Sequence, residues 1–178
     1  FIVDPIQGGA GTSFNMNANE VIANMAEQNL GGNLGEYKLI HPNDHVNKGQ
    51  STNDVIPTSG KIALIRYFEQ LIDEANKLID SLNNKAEEFA DVYKMGRTQL
   101  QDAIPMSLGQ EFAAYSKVLS RDVNRFKKAI EALSFVNLGG TAIGTGLNAD
   151  ERYVEEVVEV LAEVTGLDLK QNDDLIDG

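Results

Sequence analysis

Apolar residues recur without a break along one stretch of the chain: Ile65, Phe68, Ile72, Ala75, Ile79, Leu82, Ala86 and Phe89. The steps alternate between three and four residues, so these side chains return to one side of an α-helix. A repeat of seven held this long is the seam of a long helix packed nearly parallel to its neighbours. A strand is excluded, because its successive side chains face opposite sides. Leu108, Phe112, Tyr115, Leu119, Val123, Phe126, Ile130 and Leu133 form a second row. There two steps of four meet at Leu119, which straightens the packing locally. Ser107 is placed to cap this second helix, and Gln110 completes a capping box.

Two further helices are expected. One runs from Asn17 to Asn29 and ends at Gly31-Gly32. The other runs from Asp150 to Thr165, with Asp150 as cap, Gly166 as stop, and Glu155, Glu156, Glu159 and Glu163 on a solvated face. Tyr93-Lys-Met95 reads as a brief extended piece, and no βαβ rhythm or tandem repeat is present. The fold class is therefore all-α, a bundle of long helices. Seams this long in 178 residues favour burial against partner subunits, hence a homo-oligomer.

Charge and cysteine content narrow the function. A net charge of −12 lacks the basic patches that nucleic acid or an anionic membrane surface would need. It also gives no long-range steering for an anionic substrate, so an anion site must build its own local field. With no cysteine, disulfides, thiol catalysis and thiolate metal sites are excluded, which fits a reducing cytoplasm. The apolar run Ile62-Ala-Leu-Ile65 is bracketed by Lys61 and Arg66, far short of a membrane span. No signal peptide is visible. A start at Phe1 and a stop at Gly178 read as cuts inside a longer protein.

Chemistry concentrates in polar islands between the helical stretches. Gly8-Gly-Ala-Gly-Thr-Ser-Phe-Asn-Met-Asn17 leads into a helix, and its glycines and hydroxyls suit an anion at a helix start. Alone it reads equally as a flexible cap. His41-Pro-Asn-Asp-His-Val-Asn-Lys-Gly-Gln-Ser-Thr-Asn-Asp54 is the second island. Ser51, Thr52 and Asn53 can turn hydroxyls and an amide toward one carboxylate, whereas capping by Thr52, Asn53 or Asp54 explains only part of the run. His41 and His45 with Asp44 invite a metal reading, but Pro42 disturbs the helix and no third strong ligand follows. They read as hydrogen-bonded structural histidines, with no metal and no cofactor expected.

The third island is Gly96-Arg-Thr-Gln-Leu-Gln-Asp-Ala-Ile-Pro-Met-Ser-Leu-Gly-Gln-Glu111. Thr98 and Gln99, adjacent and neutral, are its ligand candidates; Arg97 could bind a carboxylate but is expected rather to pair structurally with Asp102 or another acid. The fourth, Asn137-Leu-Gly-Gly-Thr-Ala-Ile-Gly-Thr-Gly-Leu-Asn148, reads as a tight turn that lets helices or subunits approach. Thr141, Thr145 and Asn148 would support the site from behind.

Taken in order, these segments resemble the aspartase/fumarase superfamily. The likeness runs from Asp4-Pro-Ile-Gln-Gly-Gly-Ala-Gly-Thr-Ser through Gly49-Gln-Ser-Thr-Asn-Asp to Asn172-Asp-Asp-Leu-Ile. Lys94-Met-Gly-Arg-Thr-Gln-Leu-Gln-Asp-Ala leans toward the aspartase branch, because fumarases usually carry histidine where Gln99 stands, as some aspartases also do. Ser51-Thr52 leans the same way. The resemblance implies an anti elimination across a Cα–Cβ bond of a dicarboxylate, which for an aspartase gives fumarate and ammonia. It implies substrate contacts at Thr12, Ser51, Thr52, Asn53, Thr98 and Gln99, the last two serving a different subunit's site. His41, Asn43 and Asp44 match a second, peripheral anion site. A homotetramer is implied, its central helices forming one bundle. Residues 1–50 would then close the N-terminal domain and 51–178 would belong to the central bundle.

The superfamily's base, a serine on a Gly-Ser-Ser loop followed by Met-Pro and Lys-x-Asn, has no counterpart in this sequence. Ser120 and Ser134 lie in helical pattern and do not replace it. The chain thus carries no catalytic residue of its own, and it is expected to be inactive alone. A class II fumarase and a non-catalytic helical oligomerisation module remain as alternatives.

Overall fold

The computed structural model of the chain describes residues 1, 3–6 and 9–178. It is mainly helical: α1 Thr12–Asn29, α2 Thr52–Glu88, α3 Leu108–Leu133 and α4 Glu151–Thr165. A π-helical turn occupies Pro42–Val46, and strands β1 Tyr93–Thr98 and β2 Gln101–Ser107 form an antiparallel hairpin. The two-residue strands β3 Phe135–Val136 and β4 Lys170–Gln171 pair in parallel. No helix among the described residues is long and apolar enough to cross a membrane.

The chain divides into two compact units. The second, Leu64–Ala132, holds most of α2, the β-hairpin and nearly all of α3. Every residue of the first apolar seam is buried or half-buried there, while the residues between them are mostly exposed. The seam meets α3 of the same chain: the rings of Phe68 and Phe126 lie 5.5 Å apart, as do those of Phe89 and Phe112. Burial against partner subunits is thus not what this seam needs first. A different set on α2, Leu64, Tyr67, Leu71 and Leu78, stays exposed. Gly109 makes the close approach near the hairpin: a Cβ there would fall 2.3 Å from the Ala86 carbonyl oxygen.

Ser107 and Gln110 form the expected capping box at the start of α3. The Gln110 N–H donates to Ser107 Oγ at 3.1 Å, and the Ser107 N–H donates to Gln110 Oε1 at 3.0 Å. The extended piece expected at Tyr93-Lys-Met95 is a full hairpin instead, reaching Ser107. A Cβ on Gly96 would sit 2.8 Å from the Ile104 carbonyl oxygen, so glycine is required at this irregular point of the ladder.

The first unit, Phe1–Ala63 with Leu133–Gly178, has an unusually polar interior. Ala23, Val136, Leu138, Val158 and Leu169 are buried, but so are Asn15, Asn19, Glu27, Asp54, Thr58 and Asn137. Buried polar groups persist only where hydrogen bonds replace water. Glu27 accepts from the N–H groups of Lys38, Leu39 and Ile40 at 3.1, 2.9 and 2.8 Å, tying the segment after α1 back onto it. These donors, Ile40 foremost, hold its carboxyl below the usual carboxylate range against the opposing effect of burial.

α1 begins at Thr12, five residues before the expected Asn17, because Gly11 in left-handed geometry (φ 86°) starts it without a side-chain cap. α4 follows expectation: Asp150 Oδ1 accepts from the Arg152 N–H at 3.0 Å, and Gly166 closes it at φ 70°. Glu155, Glu156, Glu159 and Glu163 are exposed.

Candidate active site

Four of the expected ligand residues lie in the first unit, at the starts of α1 and α2. Gly11 brings these together, since a Cβ there would meet Ile56 at 2.9 Å. Thr12 occupies the first turn of α1, exposed, and its hydroxyl has no partner among the described residues. Gly8, part of the same glycine run, lies outside the described residues.

At α2, capping falls to Ser51 and Asp54 rather than to Thr52 or Asn53. Ser51 Oγ accepts from the Asn53 N–H at 3.2 Å, and the Ser51 N–H donates to Asp54 Oδ1 at 2.9 Å. Asp54 is wholly buried and does more than cap. Its Oδ2 accepts from the N–H groups of Gly139 and Thr141 at 3.2 and 2.9 Å, so one carboxylate clamps the glycine-rich turn onto the start of α2. That turn needs positive φ at Gly139 (98°), Thr141 (58°), Gly144 (89°) and Gly146 (66°). Pro57 has no N–H for the Asn53 carbonyl, and Asn137 Nδ2 stands 3.5 Å from that oxygen.

The side chains of Ser51, Thr52 and Asn53 each have one hydrogen bond fixed within the chain. Ser51 Oγ is already an acceptor. Thr52 Oγ1 accepts from Asn15 Nδ2 at 3.1 Å. Asn53 Nδ2 donates to the Ala142 carbonyl at 2.6 Å. The two O–H groups and Asn53 Oδ1 have no partner among the described residues. The open groups of these three consecutive residues thus include two O–H donors and an amide oxygen acceptor. Two hydroxyl donors suit a carboxylate, and an amide oxygen suits an N–H or O–H donor.

Behind Thr52 lies an asparagine network. Asn15 Nδ2 also donates to Asn47 Oδ1 at 3.2 Å, and Asn19 Nδ2 donates to Asn47 Oδ1 at 3.0 Å and Asn15 Oδ1 at 3.3 Å. Asn15, Asn19, Asn47 and the clamping role of Asp54 were not singled out from sequence. The available signal was asparagine at positions i and i+4 of one helix, where it is a poor helix former.

His41 and His45 act on the backbone. His41 Nδ1 accepts from the Asn43 and Asp44 N–H groups at 3.3 Å each, capping the π-helical turn, and His45 Nδ1 accepts from the His41 N–H at 2.8 Å. The N–H groups that an anion would need at Asn43 and Asp44 therefore already have an acceptor. No group of three metal-ligating side chains occurs among the described residues.

Thr98 and Gln99 belong to the second unit, at the tip of the hairpin. Thr98 pairs with Gln101, leaving Gln99-Leu100 as a two-residue loop. Both loop residues have positive φ, 49° and 63°, the geometry that follows strand twist but that Asn-Gly adopts most easily. Their side chains and that of Thr98 are exposed, and none makes a hydrogen bond among the described residues. Arg97 pairs with Asp102 at 3.3 Å, as expected, and both are exposed, so the pair contributes little, about 0–1 kcal/mol. At the hairpin base, Glu111 accepts from Lys94, which lowers its carboxyl pKa, and from the Tyr115 hydroxyl.

The family described as lyase matches residues 1–177. An aspartate ammonia-lyase of Bacillus subtilis (strain 168) is 54% identical over 177 residues, covering 99% of this chain and 37% of the relative. Among solved structures, a cobalt-bound fumarate lyase:delta crystallin from Brucella melitensis superposes with a TM-score of 0.93 at 50% identity, covering 99% of this chain and 38% of that one. A class II fumarase from Schistosoma mansoni gives 0.86 at 36% identity, over 95% and 39%. The chain thus spans well under half the length of the proteins it matches. With the match running through both units and all four polar islands, the chain belongs to this lyase family.

Proposed function

We propose that this chain is the substrate-binding portion of an aspartate ammonia-lyase, which reversibly eliminates ammonia from L-aspartate to give fumarate. The observation that carries the reading is the polarity of Ser51-Thr52-Asn53: two free hydroxyl donors beside one free amide acceptor. The donors suit a carboxylate, and Asn53 Oδ1 suits the substrate ammonium. Loss of the Cβ proton pushes charge onto the adjacent carboxylate, forming a doubly negative aci-carboxylate. Neutral donors held in place tighten onto that charge, and one strong donor contributes roughly 10²–10³ in rate. Hydroxyls and amides suit this better than lysines, which would also hold the ground state.

Thr12 adds a hydroxyl from α1. Thr98 and Gln99 serve the site of another subunit in a homotetramer whose central helices form one bundle, and the exposed Leu64, Tyr67, Leu71 and Leu78 of α2 supply apolar surface for it. Residues 1–50 close the N-terminal domain and 51–178 form part of the central bundle. The peripheral anion site implied at His41, Asn43 and Asp44 is not part of this proposal, because His41 Nδ1 already accepts from the Asn43 and Asp44 N–H groups. The base is a serine outside these residues, no cofactor takes part, and the enzyme works in the cytoplasm.

The test is an assay of the full-length enzyme for fumarate release, read by absorbance, from L-aspartate and from L-malate. Aspartate alone should react, and Asn53→Ala should lower kcat/KM for aspartate by about 10- to 1000-fold. Release from malate but not from aspartate would make it a fumarase, the reading that the Schistosoma likeness supports at 36% identity against 54% for the aspartate ammonia-lyase.

A further inference from the structure

We infer that Asn15 is a positioning residue that aims the Thr52 hydroxyl, with Asn47 and Asn19 holding Asn15 in turn. The inference rests on the functional reading above, in which Thr52 donates to a substrate carboxylate. Asn15 is 5% exposed, as is Asn19. Both N–H groups of the Asn15 amide are used, one on Asn47 Oδ1 at 3.2 Å and one on Thr52 Oγ1 at 3.1 Å. Asn15 Oδ1 is held by Asn19 Nδ2, which also donates to Asn47 Oδ1. Turning the Asn15 amide over would set its oxygen against Asn47 Oδ1 and its NH₂ against Asn19 Nδ2.

The consequence falls on Thr52. A hydroxyl has one proton and two lone pairs. With a lone pair committed to Asn15, the O–H must point elsewhere, and it has no acceptor among the described residues. The network therefore turns the Thr52 O–H away from Asn15 and leaves its proton open to donate before substrate arrives. Packing alone does not call for this arrangement, since buried amides cost free energy that apolar side chains of the same volume would not. A hydroxyl free to rotate would also lose part of its advantage at the moment charge develops, whereas a fixed dipole needs no reorganisation.

The experiment is a double-mutant cycle in the full-length enzyme, with kcat/KM for L-aspartate measured and thermal melts confirming folding. Asn15→Asp reverses the polarity: its carboxylate would draw the Thr52 proton inward. Asn15→Ala removes the donor without a buried charge and carries the test where Asn15→Asp does not fold. Either should lower kcat/KM about 10- to 100-fold, and Thr52→Val at least as much. In the Thr52→Val background, adding Asn15→Ala should cost less than about threefold, because coupled groups are non-additive. The same fold-loss in both backgrounds would overturn the inference and leave Asn15 a structural residue. Unchanged kcat/KM for Thr52→Val would instead remove Thr52 from the site, overturning the functional reading at that residue together with the inference.

Discussion

The start of α2 and the tip of the β1–β2 hairpin carry candidate ligands of the same kind, small neutral donors and acceptors, but they hold them in opposite ways. At α2, the side chains of Thr52 and Asn53 are each held by one hydrogen bond within the chain, and buried Asp54 ties their backbone to the glycine-rich turn. At the hairpin, Thr98 and Gln99 are exposed and hydrogen-bonded through the strand ladder alone, with Gln99 in left-handed backbone. The first arrangement is organised within the chain. The second is held in backbone but open in side chain, as the proposed role in another subunit's site requires.

That contrast can be broken from the α2 side. Asp54→Asn keeps the shape but sets an amide NH₂ against N–H groups that now find a carboxylate. The loss should be about 1–3 kcal/mol in denaturant melts, the usual cost of leaving buried partners unsatisfied. Activity of the full-length enzyme should fall with it, because Ser51 to Asn53 lose their anchor. An unchanged melt would show that the clamp does not organise this region.

A smaller effect of opposite sign is expected at the hairpin. Replacing Gln99-Leu100 by Asn-Gly puts residues that accept positive φ where two strained ones stand, and should stabilise by about 0.5–1 kcal/mol. If Gln99 is a ligand, the same variant should lose about tenfold or more in kcat/KM, so stability and activity move apart. A variant both more stable and fully active would make the loop a plain turn.

The remaining effects appear only at the extremes of pH. Burial first, and the charge of Asp54 second, push the Tyr153 hydroxyl up to about 12. A group whose folded pKa is raised favours the folded state below its unfolded value, near 10, and that stability drains as pH rises toward about 12. Glu27 acts on the other limb: its lowered pKa stabilises above the ordinary carboxylate range and is lost as pH falls through the folded value. Denaturant melts across pH should therefore flatten on the alkaline side in Tyr153→Phe and on the acid side in Glu27→Gln. Unchanged curves would mean that neither group senses the fold.

Much of the helical scaffold was legible beforehand because its signals are local. Seam spacing, a capping box at Ser107 and Gln110, and a glycine stop at Gly166 act over three to seven residues. The hairpin was read only at its first three residues because its turn lacks Asn-Gly and β2 contains Pro105. The early start of α1 was missed because a left-handed Gly11 replaces the expected cap. The polarity of the candidate site was not legible at all, since it depends on partners far along the chain: Asn15 lies 37 residues from Thr52, and Ala142 lies 89 from Asn53.

By itself the sequence determined that the chain would be helical, that its polar residues would gather in four islands, and which residue types could meet a carboxylate. Side-chain periodicity and local capping suffice for that, because both operate within a few turns of one helix. Only the tertiary structure decided which atoms of those residues are spent and which are free. A hydroxyl or an amide can face either way in the unfolded chain. Only a neighbour brought from a distant segment, the buried Asn15 or the exposed Ala142 carbonyl, decides which of its atoms is already engaged.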